Sequence, residues 1–276
     1  MTIDRRTLLR ATAAGVLVGW PGIATPARAA QARPRIHVVG DSTAASYAVT
    51  EIPRAGWGQA LPLFLAPGTE VVNAAVSASS TKSFADLGRL DGTLAALRPG
   101  DVLLISFGHA DESELPSRHT EPWTTFQEYL FRYVESACAA QALPVLVTPV
   151  ERRRFTPDGR AFPSHGDYPA AMREVARVSR TPLIDLTALS FALFEALGPE
   201  ATKDLFLWLN PGDSAKFPDG VADDTHLQAR GAIEVARLVV TAGWMLPGRD
   251  RWALMEPDLP ADQLVWLPTR PGPDPL

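Results

Sequence analysis

Two short stretches hold residue types that together can open an ester. Gly40-Asp41-Ser42 directly follows the apolar segment Arg35 to Val39, and Asp223-Asp224-Thr225-His226 lies near the other end of the chain. A serine hydroxyl is a weak nucleophile until a neighbouring base takes its proton, and an imidazole does this best when a carboxylate holds its tautomer. Among the five histidines only His226 has an acid three positions before it. Ser42 is therefore read as the nucleophile, His226 as the base and Asp223 as the acid that orients it. On its own, Asp223-Asp224-Thr225 would read as loop and capping residues beside a surface histidine. The Ser42 context is what turns the segment into a base with its acid, carried on a loop before a helix.

Gly-Asp-Ser recurs at Gly212-Asp213-Ser214, but there it follows Asn210-Pro211 with no strand ahead and reads as a turn. There is no Gly-x-Ser-x-Gly elbow, no His-Glu-x-x-His, no paired His/Cys cluster and no Gly-rich phosphate loop. No metal or cofactor is expected.

A nucleophile needs a rigid edge to stand on. Strand-like segments rich in Val, Ile and Leu fall at Arg35 to Val39, Glu70 to Asn73, Asp101 to Ser106, Pro144 to Thr148 and Pro182 to Asp185. Helical spacing fills Trp123 to Gln141, Tyr168 to Ser179, Ala188 to Leu197 and Gln228 to Thr241. Strands alternating with helices imply a mainly parallel five-stranded sheet covered on both faces, an α/β fold built as a three-layer α/β/α sandwich. Ligands of such sheets bind at the carboxyl ends of the strands, where the strand order reverses. Ser42 stands at such an end.

The chain has 276 residues, 46% of them hydrophobic, which suits one domain with a full core. Residues 1–29 read as a twin-arginine export signal: Asp4-Arg5-Arg6-Thr7-Leu8-Leu9-Arg10, a mildly apolar run to Trp20, and the small-x-small site Ala27-Arg28-Ala29. A periplasmic or extracellular protein is expected, with no membrane attachment once the signal is cleaved. The formal charge is −5, and with the leader's four Arg and one Asp set aside the remainder is near −8. That argues against nucleic acid and anionic membranes as partners. The single cysteine, Cys138, forms no intramolecular disulfide and is expected as a small buried hydrophobe. Residues 30–245 are assigned to the catalytic domain and 246–276 to a Pro-rich tail packed on it, and the irregular stretch from Gly243 onward is expected to pack through its tryptophans, Trp244, Trp252 and Trp266. A monomer is expected.

The chain resembles the SGNH hydrolases, also called the GDSL type, and within them the rhamnogalacturonan acetylesterase-like carbohydrate esterases. The resemblance runs from about Arg35 to Trp244 and rests on several stretches. They are Gly40-Asp41-Ser42-Thr43, Gly56-Trp57-Gly58, Val72-Asn73-Ala74-Ala75-Val76 leading to Ser80-Thr81-Lys82-Ser83-Phe84, Phe107-Gly108-His109, His165-Gly166-Asp167-Tyr168-Pro169, and Asp223-Asp224-Thr225-His226. It implies a flavodoxin-like sandwich, the Ser42–His226–Asp223 triad, no cofactor, and an acetylated polysaccharide or oligosaccharide as substrate. It also implies an oxyanion hole made of the Ser42 N–H, a backbone N–H at Ala78 and an Asn side chain.

Two positions depart from the family pattern. Ala78 stands where Gly is usual, and Ala110 stands where Asn is usual, in Gly108-His109-Ala110-Asp111. The second change removes a side-chain donor, whose loss typically costs about 10²–10³ in turnover. A neighbour such as His109 or Ser113 replacing the amide, a less demanding substrate, and a binder that kept its fold remain open. A lipase or thioesterase of the same fold is a further alternative. His109 and His165 are candidate substrate contacts, the first set against plain backbone hydrogen bonding. Asp167 reads equally as a helix cap, and Glu151-Arg152-Arg153-Arg154 as a solvated charged loop.

Overall fold

Five runs of Val, Ile and Leu become the strands of one parallel sheet, and the composition of the three central ones, buried along almost their whole length, follows from burial on both faces. In the computed structural model these are β1 (Ile36–Gly40), β2 (Val71–Asn73), β3 (Val102–Ser106), β4 (Leu143–Val147) and β5 (Leu183–Ile184). Residues 34–243, together with Leu246 and Leu264, are the described residues. The chain divides into residues 1–32, outside the described residues, and a unit that begins at Arg33. The proposed leader and the three tail tryptophans lie outside the described residues. Leu264 is 5% exposed and packs in the core, with Leu246 partly buried against it.

Strand order is β2-β1-β3-β4-β5, all parallel. The order reverses between β1 and β3, so a crevice is expected beyond Gly40 and Ser106, which pair at that edge. Pro144 is tolerated inside β4 because the adjacent Leu143 N–H points to Asp101 of the β3 side. Its own missing donor would face the β5 side before that strand has begun.

Helices cover both faces. On one side lie α1 (Trp57–Ala60), α6 (Leu186–Ala201, kinked at Gly198-Pro199) and α7 (Ala229–Gly243). On the other lie α2 (Thr81–Asp86), α3 (Arg89–Ala96), α4 (Gln127–Ala139) and α5 (Tyr168–Ser179). The expected helix over 123–141 begins instead with a single π turn, Pro122–Phe126, before α4. Cys138 is exposed, contrary to expectation, because α4 turns Tyr133, Val134 and Ala137 inward and leaves position 138 on the outer face.

One element has no counterpart among the expected strands. Phe206–Leu209 (β6) and Val221–Leu227 (β7) form a separate antiparallel hairpin, so Asp223 and His226 stand on a strand and not in a loop before a helix. Gly212-Asp213-Ser214 is the turn expected of it, lying between the two strands.

Candidate active site

The chain leaves β1 at Asp41 and folds back at once. Asp41 Oδ1 accepts from the Thr43 N–H (2.9 Å) and hydroxyl (2.8 Å), an Asx turn that stiffens the residues around Ser42. The Tyr47 hydroxyl donates to the Ser42 carbonyl at 2.7 Å, and burial pushes that phenol up to about 12, so it remains a donor. The stretch Gly56-Trp57-Gly58 braces this turn from behind. The Trp57 N–H donates to the Thr43 carbonyl (2.8 Å), and the Trp57 ring is fully buried. Glycine is required on both sides of it. A Cβ at Gly56 would lie 2.3 Å from the Ala45 carbonyl oxygen, and one at Gly58 would lie 2.5 Å from that of Ala44.

The opposing wall is a bulge in β7. Phe206 pairs with Leu227 but Leu207 pairs with Asp223, which throws Asp224, Thr225 and His226 out of the ladder. Asp223 Oδ1 closes the bulge by accepting the N–H groups of Thr225 (2.8 Å) and His226 (2.9 Å). Its Oδ2 lies 2.7 Å from His226 Nδ1, and His226 Nε2 lies 3.1 Å from Ser42 Oγ. Burial alone would raise the Asp223 carboxyl, but His226 and those two N–H donors overcome it and hold it down at about 2. A carboxylate facing Nδ1 keeps the proton there and leaves Nε2 as an acceptor toward the serine hydroxyl.

Neither the Ser42 nor the Ala78 backbone N–H has an acceptor among the described residues. Ala78 is exposed and has φ 61°, the left-handed conformation that the usual glycine would adopt freely. An alanine there keeps the N–H direction at a cost of roughly 1 kcal/mol.

His109 does not stand in for the missing amide. Its ring is buried, both ring nitrogens lack hydrogen-bond partners and solvent access, and Nδ1 lies 3.3 Å from Asp41 Oδ2. Burial brings its pKa down to about 4, against the pull of Asp41, so it is a neutral ring wedged under the serine turn. The expected backbone hydrogen bonds to its side chain are absent. His165 is also no substrate contact. Its Nε2 is 2.8 Å from the Val150 carbonyl, its Nδ1 is bound to Glu112, and its ring packs edge-on to His109 with centroids 4.5 Å apart. Asp111, the last residue of that stretch, accepts from Thr81 and Thr120. Burial drives it up to about 7 in spite of those donors.

The arginine run is not a solvated loop either. Glu151 is buried and accepts from Ser164, Arg152 pairs with Glu112 at 2.7 Å, and only Arg154 of the four is exposed. Arg153 clamps the bulge: its N–H donates to the Asp224 carbonyl and its guanidinium meets Asp224 Oδ1 at 2.9 Å while lying over the Trp208 ring. Trp208 Nε1 donates to the same carboxylate oxygen at 2.8 Å. Asp167 occupies the residue before α5 without capping it, and its carboxylate accepts from Trp123. Charge in a sequence carries no record of partners 40 to 71 residues away, which is why these pairings were not legible.

Residues 38–232 match the model of the GDSL-like Lipase/Acylhydrolase family. The chain belongs to this family. It is accordingly a carboxylic-ester hydrolase, and its resemblance to the rhamnogalacturonan acetylesterases is borne out by curated relatives. It is 42% identical over 205 residues to "Rhamnogalacturonan acetylesterase RhgT" of Bacillus subtilis (strain 168), spanning 74% of this chain and 87% of that protein. It is 36% identical to "Probable rhamnogalacturonan acetylesterase YesY" of the same organism, over 74% of this chain and 89% of that one. The crystal structure of Bacillus subtilis YxiM superposes with a TM-score of 0.64 at 30% identity, covering 76% of this chain and 55% of that one. An acetyl xylan esterase structure, AlAXEase, superposes at 0.54 with 18% identity over 75% and 98% of the two chains, a likeness of fold alone. The strand order of this GDSL-family chain is a flavodoxin-like one, in keeping with the flavodoxin-like sandwich that the resemblance implied.

Proposed function

We propose that the chain removes O-acetyl groups from an acetylated polysaccharide, with Ser42 as nucleophile, His226 as general base and acid, and Asp223 as the residue that orients His226. The observation that carries this is the unbroken contact series Ser42 Oγ, His226 Nε2, His226 Nδ1, Asp223 Oδ2 at the carboxyl end of β1. The substrate class comes from the acetylesterase relatives.

In this reading Ser42 Oγ attacks the ester carbonyl carbon as its proton passes to His226 Nε2. The oxyanion forms against the Ser42 and Ala78 N–H groups. As the tetrahedral adduct collapses, the C–O bond to the sugar breaks and the departing oxygen takes the proton from Nε2, leaving acetyl-Ser42. Water then attacks, giving its proton to Nε2, and acetate leaves as Ser42 Oγ is reprotonated. Because the Asp224 clamp holds the bulge on which both Asp223 and His226 ride, Arg153→Met is expected to lower kcat by up to about 10²-fold with little change in KM. Steady-state kinetics of the folded variant check this.

Ala110 favours a second reading, a carbohydrate binder whose fold is kept and whose turnover is lost. The deciding experiment compares p-nitrophenyl acetate and acetylated rhamnogalacturonan as substrates for wild type and Ala110→Asn. The proposal expects acetate release by wild type and a gain of about 10²-fold in kcat from the restored amide. A folded wild type that binds the polysaccharide without hydrolysing either substrate would establish the binder. Activity climbing with acyl chain length would establish a lipase instead.

We also propose export through the twin-arginine pathway, on the strength of Arg5-Arg6 and Ala27-Arg28-Ala29. N-terminal sequencing of protein recovered outside the cytoplasmic membrane is expected to begin at Ala30. Uncleaved chain retained inside would overturn this.

A further inference from the structure

The proposed chemistry does not use His109, although the fold holds it against the serine turn. Its side chain is 5% exposed, and neither ring nitrogen has a hydrogen-bond partner among the described residues. A buried polar group left unpaired weakens a fold, and such groups concentrate where function requires them. A phenylalanine would fill much of the same volume without that cost.

The ring is fixed from behind. Gly108 has a φ of 147°, and a Cβ there would lie 2.8 Å from Pro149 Cγ, so the chain leaving β3 passes close against the segment that follows β4. His109 enters from that path and meets the edge of His165, whose own ring is held by the Val150 carbonyl and Glu112. Arg152 joins Glu112 to the Ser164 carbonyl and completes the support. With its back so packed, the His109 ring presents Nδ1 to Asp41 Oδ2 at 3.3 Å, within ion-pair reach. The other oxygen of that carboxylate accepts the Thr43 N–H and hydroxyl, and so shapes the turn that carries Ser42. Burial would raise the Asp41 carboxyl, but His109 and the Thr43 donors outweigh it and keep it below the ordinary aspartate value. A carboxylate facing Nδ1 holds the ring proton there and leaves Nε2 as the unpaired acceptor.

We propose that His109 is a positioning residue for the nucleophile: its Nδ1–H steadies Asp41, and through Asp41 it fixes where Ser42 Oγ stands relative to His226 Nε2. The inference rests on the assignment of Ser42 and His226 above. A displaced nucleophile slows the chemical step and leaves substrate binding alone, so the effect belongs to kcat and not to KM.

The test uses the full chain, with p-nitrophenyl acetate kinetics, the rate of Ser42 labelling by a phosphonate ester, and urea unfolding. His109→Phe keeps an aromatic ring and loses the donor. Its kcat and labelling rate are expected to fall about 10–10²-fold with KM unchanged, while its urea midpoint holds or rises because the unpaired nitrogens are gone. His109→Asn places an amide N–H near the position of Nδ1 and loses the ring. It is expected to recover most of the kcat and to unfold at lower urea than wild type. Activity and stability thus rank the two variants in opposite orders, whereas a ring that only fills space would make His109→Asn the slower. Adding Asp41→Asn to His109→Phe is expected to cost less than the product of the separate losses. Losses that multiply, or wild-type turnover in His109→Phe, would overturn the proposal and leave the esterase reading standing. A folded wild type that is neither labelled nor active would remove the Ser42 assignment itself, and this inference with it.

Discussion

Ser42→Ala is expected to lower hydrolysis of p-nitrophenyl acetate by about 10⁴–10⁶-fold, and adding His226→Ala to that variant to cost almost nothing more. The reason is the 3.1 Å contact between Ser42 Oγ and His226 Nε2. A base has no catalytic work once the hydroxyl it deprotonates is gone, so the two losses overlap instead of multiplying. Ser214, in the second Gly-Asp-Ser, supplies the internal control. Its hydroxyl donates to the Ile52 carbonyl at 2.7 Å in the turn of the hairpin, and Ser214→Ala is expected to leave turnover unaltered. Kinetics of the single and double variants, with covalent labelling by a phosphonate ester mapped by mass spectrometry, check both statements. Labelling at Ser214, or two losses that multiply, would remove Ser42 and His226 from their shared role.

The parts of this fold that were legible in the sequence are those where one physical demand acts alone. A strand of a parallel sheet is buried on both faces, so β1, β3 and β4 are runs of apolar residues that stand out without any partner being known. Strand composition also locates Ser42, because the residue after such a strand has only one edge to occupy. The β6–β7 hairpin was not legible for the opposite reason. β7 reads Val-Ala-Asp-Asp-Thr-His-Leu, whose polar centre belongs to a bulge and conceals the strand. Its residues satisfy the site and the ladder at once.

The misread side chains share a cause. His165, Glu151 and Arg153 are polar residues in a loop, and a loop with polar residues reads as solvated until its partners are known. Glu112 reaches His165 from 53 residues away, and Asp224 reaches Arg153 from 71. Both partners arrive only because β3, β4 and the hairpin converge at one edge of the sheet. Ala78 illustrates the same point for the backbone: its residue type argues for an ordinary conformation, and the observed φ of 61° is imposed by the turn that directs its N–H.

Asp223→Asn carries the second large effect, and its origin lies in how the two carboxylate oxygens divide their work. Oδ1 accepts the N–H groups of Thr225 and His226, while Oδ2 faces His226 Nδ1. An asparagine has one oxygen, and two backbone donors in a closed bulge claim it. The amide NH₂ is then left opposite Nδ1 and can only donate. The imidazole must answer with an unprotonated Nδ1 and a proton on Nε2, the atom that receives the proton of Ser42 in the proposed mechanism. Turnover is expected to drop about 10⁴-fold with the fold intact.

Stability supplies a second readout with its own sign. The folded carboxyl at about 2 lies below the value near 3.9 of an unfolded aspartate. Its contribution is therefore present above pH 4 and disappears as pH falls toward 2. The variant should lose at most about 2 kcal/mol at neutral pH and almost nothing near pH 2. Urea unfolding at two pH values beside steady-state kinetics measures the two effects separately. A variant that keeps a tenth of wild-type turnover while showing the full stability loss would leave Asp223 as a bulge-closing residue and give the orientation of His226 to another group.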